Sequence, residues 1–156
     1  MILTVKQKLF AFLDSYNITD EFGNVVFTVK GKFALGHTFV VYNAYGNEVG
    51  MLRQQLFTFL PKFEIYINGD YAGRISKRFT FFIPKFTLDY KGWTVDGDFF
   101  EWDYSVYDGQ RQVMSVSKEL LRLTDTYQCN IYDDRDALDA IMIALAIDAE
   151  KCSRNN

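Results

Sequence analysis

The chain is poor in the residue types that build most metal and catalytic centres. Its 156 residues include one histidine, two cysteines and two prolines. His37 has no histidine or cysteine partner at ligand spacing, which excludes a zinc site, and it follows Gly36 in a predicted turn, where we expect a surface residue. Two cysteines, Cys129 and Cys152, are too few for a disulfide framework. We expect two reduced thiols, with a redox role as the alternative.

Catalytic motifs and long apolar runs are also missing. The sequence has no Gly-x-Ser-x-Gly elbow and no glycine-rich loop for binding phosphate. Its longest apolar stretch, Ala137 to Ile147, is well short of the ~20 residues that cross a bilayer. Lys6 and Lys8 follow Met1 to Val5, which leaves no apolar core for a secretory signal. We therefore expect a cytoplasmic protein that is not an enzyme.

Aromatic residues, by contrast, are abundant. The chain has 15 Phe, 10 Tyr and 2 Trp against 10 Gly and 2 Pro, and 49% of its residues are hydrophobic. This composition is sufficient for a hydrophobic core and excludes disordered, collagen-like and low-complexity proteins. Large aromatic side chains are favoured in β-strands, so the composition indicates a β-rich protein.

An internal repeat organises these residues. Lys6-Gln-Lys-Leu-Phe-Ala-Phe-Leu aligns with Arg53-Gln-Gln-Leu-Phe-Thr-Phe-Leu and with Lys77-Arg-Phe-Thr-Phe-Phe, and a looser copy starts at Lys30. Each copy reaches a glycine in a turn setting, at Gly23, Gly46, Gly69 and Gly92. A period of about 23 residues fits two strands and two turns. The repeat therefore predicts sequential β-hairpins.

Alternation of apolar and polar residues indicates about twelve strands. They are predicted at 2–9, 14–19, 25–31, 38–43, 48–55, 63–67, 71–78, 85–90, 92–96, 102–107, 111–118 and 127–132. Closure into an antiparallel barrel would remove the edges that so aromatic a sheet could not expose. No linker interrupts the pattern, so we expect a single domain over residues 1–156.

The last segment predicts a helix over about 136–150. It follows an acidic run, Asp133-Asp-Arg-Asp, that suits a helix start, and apart from Asp139 its next eleven residues are apolar on every face. Such a helix must be buried all round. We expect it along the barrel axis, with burial between two protomers as the alternative. Asp139, in the first turns, is expected to be structural.

Positive charge recurs with the repeat. Residues 1–88 carry 10 Lys and Arg against 6 Asp and Glu, whereas residues 89–156 carry 7 against 14. In one barrel, equivalent hairpin positions lie at similar heights, so the repeated cations can gather in a rim that binds anionic lipid headgroups. The alternative is that they are solvated residues that discourage edge pairing. The candidate headgroup residues are Lys30, Lys32, Arg53, Lys77 and Arg78.

Two other groups of residues are better explained by structure than by chemistry. The densest acidic cluster, Asp96 to Asp108, lacks the spacing of a calcium-binding loop and indicates turns. Use of these carboxylates by a hydrolase is the alternative, and it requires a cleft. Trp93, Trp102 and the run Phe79 to Phe86 could stack nucleic-acid bases, but core packing is favoured. We predict no metal, no cofactor and no nucleic-acid partner.

The sequence resembles the LURP-one-related family, whose bacterial members are called YxjI-like. The resemblance covers essentially the whole chain and is carried by Lys-Gln-Lys-Leu-Phe at 6–10, Val-Lys-Gly-Lys-Phe at 29–33, Gly-Asn-Glu-Val at 46–49, Leu-Phe-Thr-Phe-Leu-Pro at 56–61, Phe-Thr-Phe-Phe-Ile-Pro-Lys-Phe at 79–86, Gly-Asp-Phe at 97–99, Asp-Tyr at 103–104 and Leu-Ala-Ile-Asp at 145–148. It implies a fold similar to the tubby C-terminal domain and the phospholipid scramblases. That fold is mainly β with one helix, a twelve-stranded antiparallel closed barrel around a central apolar C-terminal helix.

The resemblance implies no catalytic residues, because the family has no established enzyme chemistry. We expect a non-enzymatic binding or scaffold domain, monomeric or weakly dimeric, whose partner is a protein. The alternative, by analogy with tubby, is a domain peripheral to the membrane that binds anionic phospholipid or phosphoinositide through the basic rim.

Overall fold

A computed structural model describes residues 1–6, 15–32, 36–60, 62–78, 85–99, 101–118 and 126–152. Of Lys6, Lys77, Arg78, Lys85 and Cys152 it describes the backbone alone. The strands are β1 (Ile2–Lys6), β2 (Ser15–Thr19), β3 (Val25–Lys32), β4 (Thr38–Asn43), β5 (Glu48–Gln54), β6 (Lys62–Ile67), β7 (Asp70–Arg78), β8 (Lys85–Tyr90), β9 (Thr94–Asp98), β10 (Asp103–Asp108), β11 (Arg111–Lys118) and β12 (Thr126–Ile131). A short 3-10 helix, Asp134–Asp136, leads into the single α-helix, α1 (Ala137–Cys152).

The twelve strands form one antiparallel sheet in the order β8-β7-β6-β5-β4-β3-β2-β1-β12-β11-β10-β9. Apart from the β1–β12 pair, all neighbours are consecutive hairpin strands. Side chains alternate between the two faces: in β3, Phe27 and Val29 are buried in the core, whereas Lys30 is exposed. The predicted mainly β barrel with one C-terminal helix is confirmed.

The turns follow the sequence repeat closely. In the β2–β3 turn the Asp20 side chain accepts hydrogen bonds from the backbone N–H groups of Phe22 and Asn24, and Asn43 does the same for Tyr45 and Asn47 in the β4–β5 turn. All four predicted turn glycines have positive φ, from 70° to 89°. β10 and β12 are shifted by one residue from the prediction, and β9 is displaced most: it begins at Thr94, two residues later than predicted. Lys91 and Gly92 both have positive φ, and the Trp93 N–H closes the turn on the Tyr90 carbonyl at 2.8 Å.

Helix α1 fills the interior of the barrel. It begins one residue later and ends two residues later than predicted, and every residue from Ala140 to Glu150 is buried. The helix contacts β5, β6, β7, β11 and β12, and Gly50 on β5 makes room for Met142. The expectation of a central helix is therefore confirmed within the single chain.

The barrel is nearly closed rather than fully paired. Within the described strands, β8 and β9 are the two ends of the sheet and do not pair with each other, although a short turn joins them. We call the gap between these two strands the seam. Rings bridge it: Phe86 on β8 contacts Phe99, just after β9, edge to face at 5.0 Å between ring centroids.

Candidate functional site

The two ends of the barrel differ because the strands alternate in direction. The odd-numbered strands all end at one end, which we call the loop end. The turns after β2, β4, β6, β8 and β10, and the start of α1, lie at the other, the turn end. Helix α1 runs from the turn end to the loop end, where the Lys151 ammonium donates to the Phe99 carbonyl at 2.7 Å.

The predicted basic residues lie near the loop end. Each is within the last three residues of its strand: Lys30 and Lys32 in β3, Arg53 in β5, and Lys77 and Arg78 in β7. Of other cations, Lys118 ends β11, Lys6 ends β1, and Lys62 and Lys85 begin β6 and β8 at the same end. The side chains of Lys77 and Arg78 lie outside the described part of the chain.

Two of the predicted side chains have acidic partners on the outer wall. The Arg53 guanidinium binds Glu64 at 2.8 Å and also donates to the Tyr66 hydroxyl, which raises the pKa of Arg53. Burial would raise the pKa of Glu64, but its hydrogen bonds from Arg53 and Tyr66 outweigh this and lower it. Lys32 lies 3.7 Å from Glu48. These pairs are half-exposed, so they reduce the positive field of the rim without cancelling it.

Lys30 lies over an aromatic ring at the mouth of a shallow cavity. Its ammonium is 5.1 Å from the centroid of the Tyr42 ring. The cavity, about 240 Å³, is lined by Val25, Thr28, Lys30, Tyr42, Asn43, Ala44 and Gly46. Because Asn43, Ala44 and Gly46 belong to a turn of the turn end, the Lys30 side chain lies along the outer wall rather than at the loop end.

An apolar tip projects from the loop end between β5 and β6. The side chains of Phe57 and Phe59 are 104% and 95% exposed, and Leu56 is 38% exposed. Phe57 has φ of 59°, a conformation that is uncommon for a bulky residue and often found at functional positions. Sequence reasoning missed this apolar tip. The signal was present, because an apolar run between two strands ends in Pro61 where a polar loop is the norm.

The turn end is strongly acidic. Nine Asp or Glu residues lie in or beside its turns or in the first turn of α1, against three Lys or Arg. The acidic residues are Asp20, Glu21, Glu48, Asp70, Asp108, Asp133, Asp134, Asp136 and Asp139; the basic ones are Lys91, Arg111 and Arg135. Several are locally paired: a hydrogen bond from Arg135 lowers the pKa of Asp133 to about 2. Over the described residues, the turns at this end therefore carry an excess of negative charge.

A second feature that sequence reasoning missed is a group of polar side chains in the interior near the loop end. Asp148 and Glu150, on the last turns of α1, are 1% and 0% exposed. Burial, followed by the nearby Asp148 carboxylate, raises the pKa values of the Tyr127 phenol and the Cys129 thiol well above their usual ranges. The all-round apolar pattern predicts a buried helix but ends at Ile147, before both carboxylates, so it was only a weak signal for their burial.

The remaining predicted residues have structural surroundings. The carboxylate of Asp139 accepts hydrogen bonds from the Tyr90 hydroxyl and, at 2.9 Å, from Lys91. Trp93 is 4% exposed and packs on Tyr90, as the core-packing interpretation predicts. Trp102 is half-buried and stacks on Tyr127. The run Phe79 to Phe86 lies mostly outside the described residues.

Cys129 and His37 are the described residues of the two types that most often bind transition metals. Cys129 is a free, buried thiol, and the Cys152 side chain lies outside the described part of the chain. Among the described residues no group of three or more His, Cys, Asp or Glu side chains is placed to hold a metal ion. His37 is half-buried, and burial lowers the pKa of its imidazole. Over the same described ranges, no helix combines the length and apolar character needed to span a bilayer.

Comparison with known proteins identifies relatives in sequence and in structure. The Bacillus subtilis (strain 168) protein YxjI, itself uncharacterized, is 34% identical over 147 residues, covering 94% of this chain and 91% of YxjI. The crystal structure of a protein from Arabidopsis thaliana superposes with a TM-score of 0.62 at 19% identity, covering 92% of this chain and 88% of that one, which shows a shared fold. The sequence profile of the LURP-one-related family matches residues 1–148. The chain therefore belongs to the LURP-one-related family.

Proposed function

We propose that this domain is a non-enzymatic binding module that docks on anionic phospholipid surfaces with its loop end. The observation that carries the proposal is the apolar tip of Leu56, Phe57 and Phe59, which projects into solvent at the barrel end where the strands that carry the candidate cations terminate. Aromatic rings partition into the interfacial region of a bilayer, and nearby cations are attracted to anionic headgroups.

Each part of the loop end has a distinct role in this proposal. The rings of Phe57 and Phe59 enter the headgroup region. Their burial there is favourable because both rings are exposed to water in the free protein. Lys32 and Lys62, at the loop-end termini of β3 and β6, supply attraction of about 1 kcal/mol or less each, and Glu48 reduces the share of Lys32. Arg53 contributes less, because Glu64 already neutralises it.

The acidic turn end supports the same orientation. A surface that carries nine acidic residues against three basic ones is repelled by an anionic bilayer, so the barrel approaches with its loop end first. In such an encounter, electrostatic attraction acts at long range, and apolar contacts form once the surfaces meet. The proposal places the domain at the cytoplasmic face of a membrane, where anionic lipids are concentrated.

Vesicle co-sedimentation tests the proposal. The protein is mixed with vesicles of phosphatidylcholine alone or with about one third phosphatidylserine, at low and high salt. We expect binding to the anionic vesicles that weakens with salt. The double variant Phe57→Ser with Phe59→Ser should bind about tenfold more weakly, because it removes the inserted rings. A second variant reverses the charges of Lys30, Lys32, Lys77 and Arg78 and should lose most of the salt-sensitive binding.

The matched control uses the aromatic residues of the opposite end. Phe22 and Tyr45 are also almost fully exposed, at 84% and 90%, but they lie in turns of the acidic turn end. The double variant Phe22→Ser with Tyr45→Ser should bind like the unaltered protein. Absence of salt-sensitive binding, or equal losses from the two aromatic double variants, would overturn the proposal.

A further inference from the structure

Three neighbouring turns at the turn end expose aromatic rings to solvent. Phe22 in the β2–β3 turn is 84% exposed, Tyr45 in the β4–β5 turn is 90% exposed, and Tyr71, just after the β6–β7 turn, is 54% exposed. Strands β2 to β7 are consecutive neighbours in the sheet, so these turns lie side by side at intervals of two strand spacings, about 10 Å. We call residues 20–24, 44–47 and 68–71 together the aromatic arc.

The two most exposed rings occupy the same position in two turns of the same construction. Phe22 and Tyr45 each directly precede a glycine, Gly23 or Gly46. In both turns the glycine N–H donates to the carbonyl of the residue three positions earlier, at 3.1 Å and 2.9 Å. These hydrogen bonds fix the turns, so binding there does not require a loop to become ordered. Exposed aromatic residues contribute little to folding and are enriched at binding surfaces.

The aromatic arc carries three acidic residues, Asp20, Glu21 and Asp70, and no lysine or arginine. Among the described residues, none of the three pairs with a Lys or Arg side chain. The Asp20 carboxylate accepts hydrogen bonds from N–H groups of its own turn, and Glu21 accepts one from the Ile2 N–H at 3.1 Å. Because these donors are neutral, the negative charge of the aromatic arc is not compensated.

The rest of the turn end is arranged differently. All three cations of the turn end lie there, and each binds a carboxylate of the same region. The pairs are Lys91–Asp139, Arg111–Asp136 and Arg135–Asp133. That region therefore neutralises part of its own charge, whereas the aromatic arc combines exposed rings with uncompensated carboxylates. Such a combination is complementary to a cationic partner.

From these features we infer that the aromatic arc binds an extended segment of a partner protein in which arginine recurs about every third residue. The planar guanidinium group can stack on an aromatic ring and still bind a carboxylate through its N–H groups. A polyproline-type segment has three residues per turn and rises about 3.1 Å per residue, so every third side chain lies on one side at intervals of about 9 Å. That interval matches the spacing of the three turns.

Other occupants fit this surface less well. The acidic residues repel a bilayer that contains anionic lipid. A second copy of the chain would have to offer its loop end, where Arg53 is the only arginine with a described side chain, and Arg53 already binds Glu64. Such a head-to-tail contact along the barrel axis would also extend into open chains. The inference concerns the opposite end of the barrel from the membrane-docking surface, so each proposal can fail without the other.

Fluorescence anisotropy of labelled peptides tests the inference in the absence of lipid. The probe, Arg-Pro-Ser-Arg-Pro-Ser-Arg, places its arginines at the interval of the turns. A second peptide of the same composition groups them, as Arg-Arg-Arg-Pro-Ser-Pro-Ser, and a third keeps the spaced order but replaces each Arg by Lys. We expect the spaced Arg peptide to bind about fivefold more tightly than either control, because both controls keep the charge but lose stacking of guanidinium groups on the rings.

The two aromatic double variants of the vesicle experiment locate the site, with their roles exchanged. Phe22→Ser with Tyr45→Ser should weaken binding of the spaced Arg peptide about tenfold, because it removes two of the three rings. Phe57→Ser with Phe59→Ser, at the loop end, should leave the affinity unchanged. Equal losses from these two double variants would overturn the inference.

A second pair of variants tests the carboxylates at constant change of charge. Glu21→Gln with Asp70→Asn should weaken the spaced Arg peptide about fivefold, whereas Asp96→Asn with Asp103→Asn, exposed carboxylates of β9 and β10, should not weaken it. Absence of peptide binding, equal binding of the spaced and grouped peptides, or equal effects of these two charge variants would each overturn the inference. So would self-association of the protein that the turn-end aromatic double variant abolishes, because it would assign the aromatic arc to a second copy.

Discussion

Gly73 lies where the barrel wall leaves no space for a side chain. A Cβ atom there would overlap the backbone carbonyl oxygen of Asp89 on the paired strand β8. At Gly50, facing the helix, a Cβ atom would approach the Met142 sulfur to 2.5 Å. The two contacts differ in kind, because a strand backbone cannot move without breaking its ladder, whereas a methionine side chain can adopt another rotamer.

At this residue scale we predict that Gly73→Ala is more destabilising than Gly50→Ala. The first should lower the free energy of unfolding by about 2 to 3 kcal/mol and the second by about 1 kcal/mol, within the usual range for overpacking. Urea denaturation of the two variants measures the difference. Equal losses would show that the β7–β8 pairing at Gly73 is looser than the structure indicates.

Among elements, the strands β8, β10 and β12 each carry a buried tyrosine. Burial is the main cause that raises the pKa values of Tyr90, Tyr104 and Tyr127 on β8, β10 and β12. For Tyr90 the carboxylate of Asp139 on the helix adds to the effect. A raised pKa in the folded state means that the phenols keep their protons in the barrel and release them near pH 10 in the unfolded chain.

The sign of this linkage predicts alkaline unfolding. Below pH about 9 the three phenols are protonated in both states, so they give no pH dependence; above that the unfolded chain binds fewer protons and stability falls as pH rises. We expect tyrosinate absorbance from these residues to appear together with loss of the β-sheet circular dichroism signal. Their ionisation in a fully folded barrel would contradict the prediction.

A matched pair of variants assigns the effect to the interior. The Tyr127 hydroxyl is buried and makes no hydrogen bond within the described residues, so Tyr127→Phe should keep the fold and raise the pH of alkaline unfolding. Tyr132→Phe, at a half-exposed position, is the control and should leave that pH unchanged. A larger shift in the pH of alkaline unfolding for Tyr132→Phe than for Tyr127→Phe would show that surface tyrosines cause the pH dependence.

Strands, turns and the helix followed from the sequence because each depends on local patterns. The alternation in β3, the Asn and Gly of the β6–β7 turn and the all-round apolar helix are each contained within a short segment. The paired state of Arg53 could not be predicted, since Glu64 reaches it through the β5–β6 register. The seam likewise arises from the whole sheet, because β8 and β9 look like any other hairpin in sequence.

Over the whole molecule, charge is arranged by barrel end rather than by position in the chain. The sequence shows a basic first part and an acidic remainder, but alternating strand direction sends residues of each part to both ends. Thus Asp20 and Asp70 of the basic part lie at the acidic turn end, and Lys118 of the acidic part lies at the loop end. This division gives the barrel a preferred orientation toward an anionic surface.

Site-specific fluorescence tests that orientation most directly. An environment-sensitive dye is attached to a single cysteine at Phe57→Cys or at Tyr45→Cys, in a Cys152→Ser background where Cys129 stays buried and unreactive. On addition of phosphatidylserine-containing vesicles, we predict a blue-shifted, brighter emission from the dye at position 57 that reverses with salt, and no change at position 45. An equal response at both positions, or a response at position 45 alone, would contradict docking through the loop end.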